Sequence, residues 1–591
     1  MKSAIDILEE RISAAMAAVT GTRDAPAIVR PATDPKFGDY QANGVMALAK
    51  QLKTNPRKLA EEVVKKLDSL DCARDRLSDI CEPPEVAGPG FINLRLKPDF
   101  IAERLLQVGK DPVNFGIDKA SQPKTIVVDF SGPNIAKQMH VGHLRSTIIG
   151  DCICRMLEFL GHKVVRQNHI GDWGTQFGMI FAYMKEQGRR VPLDVTELEQ
   201  FYKEAKKRFD TDQGFATAAT TSVVALHVGG TRGRTDWKQI REQSLAHCFE
   251  IYDLLGGIFG EEDVCGESFY NDMLPDVVGE LKRQGVAVQS EGAVCVFPPG
   301  FENKEGNPLA FMIQKSDGAY LYATTDLAAL RYRVNELKAD KIIYVTDSRQ
   351  KLHFEMLFAT ARMAGWAPEK VELVHVMFGS VLREDGTPLK TREGENVKLK
   401  DLLDEAVERA RKIVEEKNPD LLAKQKEKIA KAVGIGAVKY ADFSNNRTSD
   451  YVFSFDKMLA MDGNTAPYMQ YAYARVKSIE RKAQERGIDA EGELADLQSI
   501  HLTEPAELDL GKHLIRYGEA IQAAAADYRP NYLTAYLYEL AQKFSSFYTN
   551  CPVLDAGPDK RPTRLLLCRL TASMIKHGLS ELLGIEVVEQ M

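Results

Sequence analysis

The sequence predicts a multidomain α/β protein: a small α+β domain, a doubly wound parallel sheet interrupted by a helical insertion, and a C-terminal all-α bundle. Three observations carry this reading. Thr125-Ile126-Val127-Val128-Asp129-Phe130 is short, apolar and β-branched, as buried parallel strands are, and a loop, a helical stretch and a second strand follow it. Helical periodicity dominates from about Leu399 onward. The length of 591 residues suits about three to five domains.

Residues 1–112 form the first unit. Ile5 to Met16 and Asn43 to Leu67 have helical periodicity, the second broken by Pro56, and Gly88 to Leu96 reads as a turn followed by an alternating strand. Asp6, Glu9 and Glu10 among the first apolar positions mark an amphipathic helix, not a signal peptide. A turn-rich connector, 109–123, leads into the second unit, 113–398. There the strand Thr125 to Phe130, a helix from Gly142 to Leu160 and a strand from Lys163 to Arg166 make a βαβ unit. A helical insertion at about 185–300 includes Leu198 to Phe209 and Asp236 to Phe259. Strand character resumes at Ala293 to Pro298 and is expected again at Tyr320 to Ala323, Lys341 to Val345 and Val371 to Val376, with helices at Thr325 to Asn335 and His353 to Ala364. Residues 399–455 read as a helical connector. In 456–591 the stretches Ala460 to Gln484, Leu510 to Ala525, Tyr532 to Tyr548 and Arg561 to Leu583 make a bundle.

At 44% hydrophobic and 27% charged residues, disorder, collagen and a pure coiled coil are excluded. The net charge of -7 provides no global basic field of the kind that marks many nucleic-acid binders. No stretch approaches the roughly 20 apolar residues that span a bilayer. Nine cysteines without a C-x-x-C pair imply a reduced, cytoplasmic chain with no cysteine zinc site, and Cys152 and Cys154 read as buried structural thiols.

The sharpest chemical signal lies between the first strand of the sheet and its helix: Pro133-Asn134-Ile135-Ala136-Lys137-Gln138-Met139-His140-Val141-Gly142-His143. A helix N-terminus after a parallel strand presents backbone N–H groups and a positive dipole end to phosphates. Two imidazoles at its entry add donors, and a glycine between them lets a flat ring approach the backbone. A lone His-x-x-His would equally suit a structural or metal pair, but its place in the strand-loop-helix unit favours phosphate chemistry.

His140 to His143 resembles the H-x-G-H signature of class I aminoacyl-tRNA synthetases. The chain is more specifically similar to the bacterial arginyl-tRNA synthetases, through Asp129 to Asn134, Gly171-Asp172-Trp173-Gly174-Thr175-Gln176-Phe177-Gly178, Gly266-Glu267-Ser268, Tyr320 to Asp326, Asp347-Ser348-Arg349-Gln350, Asn464 to Arg475 and Leu582 to Glu586. The resemblance spans essentially the whole chain and implies a Rossmann-like catalytic domain. It further implies an ATP-dependent ligase that forms arginyl-adenylate and passes arginine to the terminal adenosine of its tRNA, with Mg2+ accompanying ATP.

By that resemblance His140 and His143 contact the ATP phosphates, and Gly142 lies under the adenine, with Asp347, Met377, Phe378 and Gly379 completing the nucleotide site. Glu267, Tyr322 and Asp326 hold the guanidinium, and Asp129, Asn134 and Gln350 place the α-amino group. A second class I signature, Lys-Met-Ser-Lys, is absent. Lys390 and Arg392 occupy the corresponding place, either as a phosphate clamp or as a solvated hairpin, and Lys137 is a candidate for the missing cation. Phe37, Tyr40, Gln41 and Asn43 are candidate contacts to the outer corner of the tRNA. Tyr471 and Arg475 stand for the aromatic and basic side chains of the bundle that would meet the anticodon end. A monomer is expected. The competing readings are another class I synthetase, an H-x-G-H nucleotidyltransferase and a noncatalytic tRNA-binding paralogue.

Overall fold

The computed structural model of the chain describes residues 2–69, 76–188, 191–192, 194–228, 231–390 and 396–591. The N-terminal unit sets the helices Ala4–Thr20, Gly44–Leu52, Pro56–Ser69 and Pro98–Lys110 around a small antiparallel sheet. Its strands are β1 (Val29–Pro31), β2 (Tyr40–Ala42), β3 (Glu85–Ala87) and β4 (Phe91–Leu94), in the order β1-β2-β4-β3. Pro56 opens its helix, where its missing N–H costs nothing, and Asn55 Oδ1 caps the Arg57 and Lys58 N–H groups at 3.0 and 3.1 Å. Strands β1 and β2 were not expected; at three residues each they are too short to show alternation.

The central sheet begins with β5 (Thr125–Asp129), crosses through the helix Val141–Phe159 and returns as β6 (Lys163–Gln167). After β6 come the helices Thr175–Glu186, Val195–Thr211, Gln213–Val228 and Thr231–Leu254, and then β7 (Ala287–Ser290), β8 (Ala293–Val296) and β9 (Phe311–Gln314). The chain rejoins the sheet as β10 (Lys341–Asp347) and β11 (Glu372–Phe378). All pairings are parallel, in the order β11-β10-β5-β6. The connections leave β5 in opposite directions, so the switch point lies between β5 and β10, and a crevice opens at their C-terminal ends.

Two expected strands are corrected. Ala293 to Pro298 does form β8, but in a separate antiparallel sheet β7-β8-β9 and not in the parallel one. Tyr320 to Ala323 is not a strand: the helix Tyr322–Asn335 begins inside it. The Thr324 hydroxyl accepts the Leu321 N–H at 3.4 Å, closing a capping turn that overrides the short apolar alternation.

The helix Val141–Phe159 is buried along most of its length. A Cβ on Gly150 would stand 2.2 Å from Phe130 Cγ, so only glycine lets this helix lie on the strand end. Ser146 Oγ donates to Val345 O in β10 at 2.6 Å. Arg145 is buried against Asp442 of the helix Ala423–Phe443, with Nε and Oδ2 2.9 Å apart, and donates to Gly379 O at 2.7 Å.

β12 (Val381–Leu382) and β13 (Tyr451–Val452) pair in parallel and tie the end of the sheet domain to this connector. The bundle comprises Ala466–Glu485, Ala490–Ala495, Pro505–Leu514, Tyr517–Ala526, Pro530–Asn550 and Arg561–Lys576, the last extended by a π-helical turn His577–Leu582. Leu510 to Ala525, expected as one helix, is two, broken at Ile515 and Arg516. Among the described residues no helix is long and apolar enough to cross a membrane.

Asp442→Ala leaves the Arg145 guanidinium buried without its counter-charge, and the expected cost is about 3–5 kcal/mol. Removing the exposed partner Asp404 from Lys400 is expected to change stability by less than about 1 kcal/mol. Chemical denaturation of the two variants side by side checks the difference.

Candidate active site

The two signature imidazoles cap their own helix. His140 Nδ1 accepts from the Gly142 N–H, and His143 Nδ1 accepts from the His140 N–H, each at 3.1 Å. Their rings lie 4.0 Å apart. Burial, with the nearby Lys137 charge, lowers the pKa of His140. Burial, then His140, pushes that of His143 down to about 3. Both rings are therefore neutral near pH 7. With each Nδ1 committed as an acceptor, the proton of each ring sits on Nε2. The pair is a set of neutral N–H donors beside a helix N-terminus, as phosphate oxygens require. A Cβ on Gly142 would lie 2.8 Å from His140 Cε1, so the glycine is needed by the cap itself.

The loop before this helix is pinned from the far side. Ser131 and Gly132 both have positive φ, at 70° and 50°. Gly132 N–H donates to Asn168 Oδ1 at 3.1 Å, and Ser131 Oγ meets the Tyr252 hydroxyl at 2.9 Å. Asn134 Oδ1 caps the Ala136 N–H at 3.0 Å, and its amide donates to Gln176 Oε1. Gln176 in turn donates to Gly171 O at 3.2 Å. Asn134 is thus fixed by its own loop and by the Gly171 to Gly178 motif.

Asp172 of that motif is fully buried. It accepts from Ser268 N–H and Ser268 Oγ, each at 2.8 Å, and from Arg241 Nε at 2.9 Å. A Cβ on Gly266 would lie 2.5 Å from Asp172 Oδ2. Gly266-Glu267-Ser268 and Gly171-Asp172 are therefore one structural unit, and its product is the placement of Glu267. That carboxyl lines a cavity of about 410 Å³ with Trp173, Asn271, Tyr320, Tyr322 and Thr325. Burial, then Asp326 and Asp172, pushes its pKa up to about 8, and among the described residues no cation is paired with it. Tyr322 and Asp326 stand one turn apart at the start of their helix. Tyr322 is 66% exposed, and Asp326 accepts from His353 Nε2 at 2.7 Å. A half-buried acid pair beside a mostly apolar cleft with an aromatic hydroxyl is suited to a planar cation.

The remaining predicted residues fall along the same edge. Asp129, at the end of β5, is bonded to the fully buried Arg333, Oδ2 to Nη2, at 2.8 Å. Asp347, at the end of β10, holds Arg349 bidentately at 2.8 and 2.9 Å, and exposed Gln350 follows it. Met377 and Phe378 end β11; Met377 O accepts from Arg447 Nη1 at 2.5 Å, and Gly379 N–H donates to Arg447 O at 2.9 Å. Lys137 is exposed, with Nζ 4.6 Å from the centre of the Tyr202 ring. Lys390 is exposed beside Asn396, and Arg392 lies outside the described residues. Val397 and Leu399 return to the histidines: Val141 N–H donates to Val397 O at 2.9 Å and Leu399 N–H to Met139 O at 3.0 Å.

The expected tRNA contacts separate into exposed and buried groups. Phe37 is half-buried beneath Lys36, Gln41 is bonded to Asn93 at 2.8 Å, and Asn43 Oδ1 is buried without a hydrogen-bond partner. Tyr40 is 0% exposed, and its hydroxyl donates to Glu519 Oε1 of the bundle at 2.8 Å. Beside it Asp39 pairs with Lys512 at 2.9 Å. Tyr40 is therefore corrected from an RNA contact to a joint between the first and last domains. Tyr471 is 44% exposed, and Arg475, one turn on, packs over Tyr548.

Sequence reasoning missed Arg333, His353 and the role of Asp172. Arg333 carried a signal, since it lies seven residues after Asp326 and so on the same helix face. His353 carried none, because its partner is 27 residues away.

Comparison with known proteins agrees with this anatomy. Residues 109–455 match the family described as tRNA synthetases class I (R), catalytic domain; residues 469–591 match the DALR anticodon binding domain; and residues 6–96 match the arginyl tRNA synthetase N terminal domain. The arginine–tRNA ligase of a Synechococcus strain is 51% identical, and that of Laribacter hongkongensis 49%, each alignment covering 99% of both chains. Among solved structures, the Plasmodium falciparum arginyl-tRNA synthetase superposes with a TM-score of 0.84 at 31% identity, and that of Thermus thermophilus with 0.81 at 25%. Both superpositions cover 100% of each chain.

Gly142→Ala is expected to break the His140 cap and slow any reaction that uses both imidazoles by at least about tenfold, with little loss of fold stability. Because burial pushes the His143 pKa down to about 3, wild-type activity is expected to show no loss from protonation of His143 between pH 7 and 6. A rate profile with an inflection at the ordinary histidine value, abolished in His143→Asn, contradicts that assignment.

Proposed function

Because the chain belongs to the arginyl-tRNA synthetases of class I, we propose how its residues divide the work of the reaction. It is an arginine–tRNA ligase, with arginine, ATP and tRNA as substrates. The arginine carboxylate attacks the α-phosphorus of ATP and pyrophosphate leaves. A ribose hydroxyl of the terminal adenosine then attacks the adenylate carbonyl, and AMP leaves.

The observation that carries the assignment is the uncompensated acid at Glu267 beside Asp326. We assign the guanidinium to Glu267, Asp326 and the Tyr322 hydroxyl, because a cation that enters this cleft replaces lost hydration with charge-assisted hydrogen bonds. A neutral isostere brings no charge to replace the proton on Glu267 or to pair with Asp326, and is rejected. Asn134, Gln350 and Asp129 are assigned to the α-amino end. Asp129 reaches it with Oδ1, since Oδ2 is held by Arg333.

The nucleotide is assigned to the crevice between β5 and β10. His140 and His143 donate Nε2–H to phosphate oxygens as charge develops on them, Gly142 lies under the adenine, and Asp347 and Met377 to Gly379 line the rim. Neutral donors do not by themselves neutralise a triphosphate, so a cation is required as well. We assign that role first to Lys137, two residues before Met139 at the same helix entry, with Lys390 and Arg392 as the other candidates. Mg2+ is proposed to arrive with ATP on the nucleotide's own phosphates. The tRNA is assigned to Phe37, Gln41 and Asn43 at one end of the molecule and to Tyr471 and Arg475 at the other. The domain limits 1–112, 113–398, 399–455 and 456–591, a cytoplasmic location and a monomer complete the proposal.

Asp326→Asn is expected to raise the arginine KM by about a hundredfold while leaving the ATP KM within a few-fold, as loss of a charged hydrogen bond implies. Pyrophosphate exchange with tRNA present measures both constants. Lys137→Ala is expected to slow activation more than Lys390→Ala, and the opposite order overturns the assignment of the compensating cation.

A further inference from the structure

Beside the guanidinium cleft stands one group that no motif above accounts for. His353, in the first turn of the helix Lys351–Met363, donates Nε2–H to Asp326 Oδ2 at 2.7 Å and is 17% exposed. Its ring is 5.3 Å from that of Tyr322, 5.3 Å from Phe354 and 5.6 Å from Phe311. One imidazole therefore touches two of the three groups assigned to the guanidinium: Asp326 through a hydrogen bond and Tyr322 through its ring. Its other ring neighbours limit how far it can swing.

The terminal torsion of an aspartate is broad, so a carboxylate on a half-exposed helix turn does not present its oxygens in a fixed plane. A guanidinium is a planar fork and rewards an acceptor held in that plane, whereas an ammonium is a point charge that rewards any nearby oxygen. A hydrogen bond to Oδ2 restrains the carboxylate plane and leaves Oδ1 as the acceptor for an incoming cation. Gln350, assigned to the α-amino end, lies three residues before His353, at the N-terminal boundary of the same helix. The spacing between the two ends of the substrate is thereby set by one rigid turn.

We propose that His353 is a specificity-determining positioning residue: by holding the Asp326 carboxylate in plane and bracing Tyr322, it makes the cleft read a planar guanidinium at a fixed distance from the α-amino group. The inference rests on the assignment of Glu267, Tyr322 and Asp326 to the guanidinium.

The test compares arginine with lysine, whose ammonium carries the same charge without the planar fork, in pyrophosphate exchange by the full-length enzyme with tRNA present. His353→Ala is expected to raise the arginine KM by about ten- to a hundredfold, to leave the ATP KM within about twofold, and to narrow the arginine-to-lysine ratio of kcat/KM by a similar factor. His353→Gln, which retains an N–H donor, is expected to recover most of both losses. An unchanged arginine KM and ratio in His353→Ala overturns the proposal. So does a joint rise of both KM values with a lowered Tm that His353→Gln does not rescue, since that marks a purely structural residue. Asp326→Asn separates the two levels of the argument: if it leaves the arginine KM unchanged, the guanidinium assignment itself fails, and if it raises that KM while His353→Ala does not, only the role of His353 fails.

Discussion

The architecture depends on how closely one helix can lie on one strand. Gly150 lets the helix Val141–Phe159 settle on Phe130, and from that position its first two turns reach the ends of the central strands and the connector. Ser146 bonds to β10, and Arg145 bonds to the end of β11 and to Asp442 of the connector. The backbone at Met139 and Val141 pairs with Val397 and Leu399. A longer side chain at 150 would lift the helix from the sheet and move the histidines, the nucleotide rim and the loop root together.

Around that helix the site is divided by charge state. On the phosphate side, burial keeps two imidazoles neutral, and their capping bonds leave both protons on Nε2. On the amino-acid side, burial and a second carboxylate keep Glu267 protonated until a cation comes. Neither half holds a large uncompensated charge while empty, which spares the folded protein the desolvation cost that an ionised acid cluster would impose. Each substrate supplies the charge that its half lacks. The overall charge of -7, which argued against a nucleic-acid partner, is thus a sum over local sites of opposite character.

Legibility in the sequence followed distance along the chain. His140, Gly142 and His143 are adjacent, so their chemistry and their helix end could be read together, and the long buried strands and the amphipathic bundle announced themselves by period. The short strands β1 and β2 offered too few residues for a pattern. The alternating stretch at Tyr320 was overruled by a hydroxyl three residues into the next helix. Tyr40 sits in a motif that pointed to RNA, but no local pattern says that Glu519, 479 residues away, waits for its hydroxyl. The same holds for His353 and for Asp172, whose partners come from separate elements brought together only by the fold. Residue type and spacing revealed what chemistry was available, and long-range packing decided which groups were already engaged.

The central claim is that the substrate's positive charge replaces a proton held at Glu267. Isothermal titration of arginine into the enzyme at pH 7, in buffers of different ionisation enthalpy, counts the protons exchanged on binding. With the Glu267 pKa at about 8 when the cleft is empty, close to one proton is expected to be released per arginine bound, falling toward zero above pH 9 and in Glu267→Gln. Binding with no proton release at pH 7, or release that persists in Glu267→Gln, contradicts the account.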